Sequence, residues 1–106
     1  MAYELRLSTA AKAALASLER GPKADARKLK KVRKALALLE TDPRHPGLNS
    51  HKYESFPGHP DDKVWDSYVE NRTPGAWRVF WMYGPDEKRD SETVSIITIL
   101  ALTPHP

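Results

Sequence analysis

The sequence predicts an α+β fold, and three stretches predict it. Lys63 to Tyr83 is rich in aromatic and β-branched residues on either side of a turn and carries all three tryptophans; Ala10 to Glu40 repeats apolar residues at three- and four-residue steps; Thr93 to Leu102 is almost unbroken in its apolar character. In chain order the reading is strand, helix, helix and three strands (β-α-α-β-β-β): an N-terminal strand, a two-helix hairpin, then a three-stranded antiparallel sheet with the helices on one side.

Ala2 to Leu7 alternates, with Tyr3, Leu5 and Leu7 on one side and Glu4 and Arg6 on the other, so it reads as a strand with one buried face. Ser8 or Thr9 offers an N-cap to a first helix over Ala10 to Arg20, and Gly21-Pro22 stops it. A second helix over Ala24 to Glu40 sets Leu29, Val32, Leu36 and Leu39 in one stripe and ends at Asp42-Pro43. Around that stripe lie Arg27, Lys28, Lys30, Lys31, Arg33 and Lys34. Such a cluster is either a solvated helix face or a contact surface for a nucleic-acid backbone, in which case Lys30, Lys31 and Lys34 are its candidates.

Thr41 to Asp62 is broken by Pro, Gly and Asn and reads as loop, with Ser50 to Phe56 able to extend beside the hairpin. His45, His51 and His59 fall here without helical spacing and without cysteines, so no metal site is expected. In the hairpin, Val64, Trp65, Tyr68 and Val69 precede the turn built from Asn71, Thr73, Pro74 and Gly75, and Trp77, Val79, Phe80, Trp81 and Tyr83 follow it. Gly84 to Glu92 reads as a polar turn. The last apolar run, Thr93 to Leu102, places isoleucines and leucines on both faces, as a strand with neighbours on each side requires.

The exception in the hairpin is Arg78, a charge flanked by Trp77 and Val79 whose alternation places it with Phe80 and Met82. It is either structural, stacked on a neighbouring Trp or paired with a strand carboxylate such as Asp66 or Glu70, or it is a functional cation presented on the sheet.

A length of 106 residues fits one domain, residues 1–106, with one modest core. With no cysteine there is neither a disulfide framework nor a thiol nucleophile, and with no apolar segment of membrane-spanning or signal-peptide character the expected location is the cytoplasm, without membrane association. The net charge of +3 makes a polyanionic partner plausible without requiring one. No phosphate-cradling glycine loop, GxSxG or HExxH is present. The chemistry open to such a chain uses Arg, Lys and His alone, with no cofactor. Cleavage of RNA by its own 2′-hydroxyl fits that set: Lys52 or His51 would deprotonate or polarise the hydroxyl, Arg78 would offset the charge of the crowded phosphate, and His105 would protonate the leaving oxygen.

At these residues the chain resembles the RelE/ParE superfamily of bacterial type II toxins, in its RelE/HigB-like branches. The resemblance rests on the element order, the approach HPGLNSHKY, the strand beginning VWDSYV, the AWRVFW strand around Arg78, and the final apolar strand closing in His105. It implies a toxin that cleaves messenger RNA on the ribosome, with Arg78 against the scissile phosphate and His105 as general acid, silenced by a small cognate antitoxin. The alternatives that it implies are a ParE-like inhibitor of DNA gyrase or an inert binding module of the same fold. Where ribonuclease members often carry further basic residues before the turn, this chain has Asp66, Ser67 and Tyr68, and Arg72 on the turn is the candidate replacement.

Overall fold

The computed structural model describes residues 2–71 and 73–104. Two of the candidate residues, Arg72 and His105, lie outside the described residues. The described chain runs β1 (Glu4–Leu7), α1 (Thr9–Arg20), α2 (Lys23–Thr41), a short 3₁₀ turn (Pro46–Leu48), β2 (His51–Tyr53), β3 (Val64–Tyr68), β4 (Trp77–Tyr83), β5 (Glu87–Arg89), β6 (Glu92–Val94) and β7 (Ile96–Pro104). The architecture is α+β as expected, but the sheet is larger than the three strands predicted. It has five strands in the order β1-β7-β4-β3-β2, with β1 parallel to β7 and every other pair antiparallel.

The two added strands have different origins. β1 joins the sheet through the apolar run at the other end of the sequence, pairing Leu5 with Ile97 and Leu7 with Ile99, a long-range match that local pattern cannot encode. β2 is the extended part of the Pro-rich segment, laid against β3 with His51 opposite Asp66.

The expected polar turn after β4 is itself partly ordered. β5 and β6 pair as a separate hairpin in which Arg89 opposes Glu92, leaving Asp90 and Ser91 as a two-residue loop. Both have positive φ, 48° and 75°, the backbone of a type I′ turn, which an Asp side chain tolerates better than most. Thr93 and Val94, predicted as the start of the last strand, belong to this hairpin instead.

α1 starts where Ser8 caps it: the hydroxyl oxygen accepts from the Ala11 N–H at 3.0 Å and its own proton goes to the Leu100 carbonyl at 2.7 Å. The cap thereby ties the helix start to the centre of the sheet. Ala11 is fully buried, and its small side chain lets α1 approach β7 closely. The α2 stripe buries Val32, Ala35, Leu36 and Leu39. Together with Val79, Trp81, Ile97, Ile99 and Leu102 from the sheet they form the main core.

The opposite face of the sheet holds a smaller apolar cluster, Val64, Phe80 and Leu100, with Tyr53, Phe56, Met82 and Ala101 packed on it. The ladder between β4 and β7 shifts here: Phe80 pairs with Ala101 and Trp81 with Ile99, so Leu100 is an extra residue in β7. The bulge turns Leu100 and Ala101 to the same side. Phe56, from the loop after β2, lies 5.5 Å from the Phe80 ring and lids part of this face.

Candidate functional site

The unlidded part of that second face is where Arg78 lies. The β3–β4 register sets Tyr68 opposite Arg78 and Asp66 opposite Phe80, so Asp66, Tyr68 and Arg78 share one side of the sheet, away from the helices. The β2–β3 register brings His51 to the same side.

These four side chains are in contact. The Arg78 guanidinium lies 3.7 Å from the centroid of the Tyr68 ring, and the His51 ring stacks on Tyr68 at 5.6 Å and 25°. The Arg78 Nη1 donates to both oxygens of Asp66, at 3.3 and 3.4 Å. Only 14% of the Arg78 side chain and 6% of that of Asp66 are exposed. The guanidinium is therefore packed and paired, not projected into solvent. Its Nε is buried with no hydrogen-bond partner, and Nη2 donates to nothing among the described residues. Nε and Nη2 form one edge of the planar guanidinium, the edge that meets a carboxylate or phosphate in a two-point contact.

Of the residues expected to act together, the structure brings His51 beside Arg78 by way of Tyr68. Lys52 is not there. It alternates to the other side of β2, is half exposed, and its ammonium lies 3.6 Å from Glu54. Lys30 and Lys34 are exposed on α2 and have no ion pair among the described residues. Lys31 and the neighbouring Lys28 turn toward Glu70, at 3.9 and 3.6 Å, and Lys28 also sits 5.0 Å over the Trp77 ring. Glu70 holds the turn as well, accepting from the Trp77 N–H at 3.2 Å. Part of the basic face of α2 thus fastens the β3–β4 turn, and the part free for an anion is narrower than the sequence suggests.

Sequence reasoning assigned no role at the site to Tyr68. Its signal was present in the alternation of β3, which puts Tyr68 on the same side as Asp66, but matching that strand to Arg78 needs the hairpin register. The residues between Tyr68 and Trp77 do not fix it, because their mixture of Asn, Thr, Pro and Gly suits several turn lengths. Among the described residues no group of His, Cys, Asp or Glu could hold a metal ion, and no helix is long and apolar enough to cross a membrane.

No family model matches this sequence, and no curated protein matches it. A solved structure does. In fold the chain is similar to YoeB. The structure of the YoeB dimer from Staphylococcus aureus aligns over 100% of both chains with a TM-score of 0.61. The two sequences share 14% identity, so what YoeB and this chain have in common is the arrangement of helices and sheet.

Proposed function

We propose that the chain is the toxin component of a type II toxin-antitoxin system and that it cleaves messenger RNA on the ribosome without a metal. The likeness in fold to YoeB, a toxin of the RelE superfamily, supports the toxin part of this reading. The observation that carries the ribonuclease part is the state of Arg78: Asp66 holds Nη1, while Nε is buried and without an acceptor. A buried donor left unpaired costs about 1–3 kcal/mol, and a phosphate oxygen on this edge would relieve that cost with a charge-assisted bond.

In this reading the scissile phosphate docks on the Nε/Nη2 edge of Arg78. His51 takes the proton of the 2′-hydroxyl, whose oxygen attacks phosphorus as the bond to the 5′-oxygen breaks. His105 gives that oxygen its proton, leaving a 2′,3′-cyclic phosphate. The Tyr68 ring spaces the two groups, with the guanidinium carbon 3.7 Å from its centroid and the His51 imidazole stacked on it at 5.6 Å. A small antitoxin covering this face would silence the activity, and the exposed Lys30 and Lys34 are available to ribosomal RNA.

The test is expression without a partner, with cleavage sites mapped on translated messages. Growth arrest with cuts that require translation supports the proposal; normal growth and intact messages overturn it. The Arg78–Asp66 pair favours a second reading, an inert or gyrase-directed module in which the arginine only holds the sheet together. A supercoiling assay separates that reading, because a gyrase poison leaves cleaved DNA and intact messages.

A further inference from the structure

The other side of the sheet has an opening of its own. The helices stop short of the end where β3 and β4 carry Trp65, Trp81 and Tyr83, and a cavity of about 670 Å³ lies between these rings and the segment after α2. That is the size of a small-molecule site. Its aromatic wall is continuous: Trp65 on Trp81 at 6.2 Å and 26°, Trp81 against Tyr83 at 5.0 Å, and Tyr3 against Tyr83 at 5.8 Å. The wall is also rigid, because the Trp81 Nε1 donates to the buried Ser67 hydroxyl at 2.7 Å, which bonds in turn to Ser50 at the cavity edge at 2.6 Å.

The polar groups that converge on this cavity are mostly donors. Arg44 brings an exposed cation to its rim. The Nδ1 of His45 accepts from the Gly47 N–H at 2.9 Å, which leaves its other nitrogen as the donor. Burial, and then Tyr3, raise the Tyr83 phenol above its ordinary range, so it too carries its proton at neutral pH. Among the described residues no carboxylate lines the cavity; the acid acting on Tyr83 is Asp42, opposed there by Arg44.

Flat aromatic walls with a cation and donors at the rim suit a ligand that is planar at one end and anionic at the other. We infer that this cavity binds one unpaired nucleotide of an RNA strand, the base against Trp65 and Tyr83 and the phosphate on Arg44. Trp65 and Tyr83 also border an adjoining cavity of about 370 Å³ lined by Lys63, a cation for the next phosphate along the strand, and by Asp62, whose carboxylate lies 2.8 Å from the His59 Nδ1. The choice of RNA rests on the ribonuclease reading, but the site does not: it lies on the opposite face from Arg78 and shares no side chain with it.

Two of the three tryptophans line the cavity, so intrinsic fluorescence reports its occupancy. The full chain is titrated with adenosine 5′-monophosphate, with a short unstructured oligoribonucleotide, and with adenosine or inorganic phosphate alone. Saturable quenching by the nucleotide and the oligomer is expected, with weaker responses to either half. Arg44→Ala and Tyr83→Ala should each raise Kd about tenfold, the scale of one stacked base or one charged contact, while Lys12→Ala on α1 leaves it unchanged.

No saturable change, or quenching undiminished in both variants, overturns the inference. A signal that follows protein concentration instead of nucleotide assigns the cavity to a second copy of the chain and overturns it too. Binding of the free nucleotide without competition from the oligomer keeps the site and overturns the strand. Binding together with uncut messages would sink the nuclease reading while leaving this site standing.

Discussion

The two faces of the sheet solve the same problem with different materials. The helix-covered face is apolar at nearly every inward position, and its buried hydroxyl, Ser67, is satisfied by Trp81 and Ser50. The other face has no helix to cover it. It combines an apolar patch under the Phe56 loop with a charged pair, Arg78 and Asp66, in a setting almost as dry. A covered face can be specified by hydrophobicity alone. A charge placed in the middle of a sheet must instead be held by partners, and the edge of it that they leave unheld is where a ligand has most to gain.

The largest effect should come from the covered face. Trp81 is 2% exposed, so Trp81→Ala should cost about 3–5 kcal/mol, much of the stability of a domain this size. Trp65→Ala, at the cavity rim where the ring is only half-buried, should cost about half as much. Urea unfolding of the two variants compares them. Equal losses would mean that the rim ring is as tightly packed as the core and that the cavity is not open.

The charged face makes a different prediction. Arg78→Ala leaves Asp66 buried without the cation that faces it, so a loss of about 2–3 kcal/mol is expected, less than for a fully buried pair because the arginine keeps some exposure. Arg78→Leu with Asp66→Leu removes both charges and should recover most of that stability. In the proposed nuclease both variants are non-toxic, including the one that folds well. Toxicity returning with the fold in the double variant would show that Arg78 only holds the sheet.

This contrast also explains what was legible in the sequence. The helices, their order and their buried stripe follow from local periodicity and from the stop at Gly21-Pro22. The predicted spans fall within a residue of Thr9–Arg20 and Lys23–Thr41. The extended segment beside the hairpin was readable too, because His51–Tyr53 sits between clusters of breakers. What depends on pairing was not: the parallel addition of β1 to β7, the bulge at Leu100, and the β5–β6 hairpin, whose turn is Asp90-Ser91 instead of the usual glycine-containing pair. The site divided along the same line. Arg78 is conspicuous as a charge among aromatics, and Asp66 was visible as a possible partner. The place of Tyr68 between Arg78 and His51, and the exclusion of Lys52, are consequences of register.

A smaller effect tests how α1 is joined to the sheet. Ser8→Ala removes both the cap to Ala11 and the bond to Leu100 and should cost about 1–2 kcal/mol. Ser8→Gly would separate the two parts, since glycine is itself a fair N-cap but cannot reach Leu100. A glycine variant as stable as the native chain would mean that the tie to the sheet contributes little.

The smallest effect belongs to neither face but to the sheet's edge. Arg6 and Glu4 on β1 interlock with Glu87 and Arg89 on β5, with Arg89 reaching Glu4 at 2.6 Å and Arg6 reaching Glu87 at 2.5 Å. Hydrogen bonds from Arg89 and then Arg6 hold the Glu4 carboxyl down at about 2, and Arg6 and then Arg89 lower Glu87. Both carboxylates are therefore stronger acids in the folded chain than in the unfolded one. Their contribution is fully present above the ordinary carboxylate value of 4.5 and is lost as pH falls from there toward about 2. Because all four groups lie at the surface, salt should weaken the effect. Melting curves across that acid range at low and high salt should show a decline that Glu4→Gln and Arg89→Ala both flatten. An equally steep decline in both variants would place the acid sensitivity elsewhere.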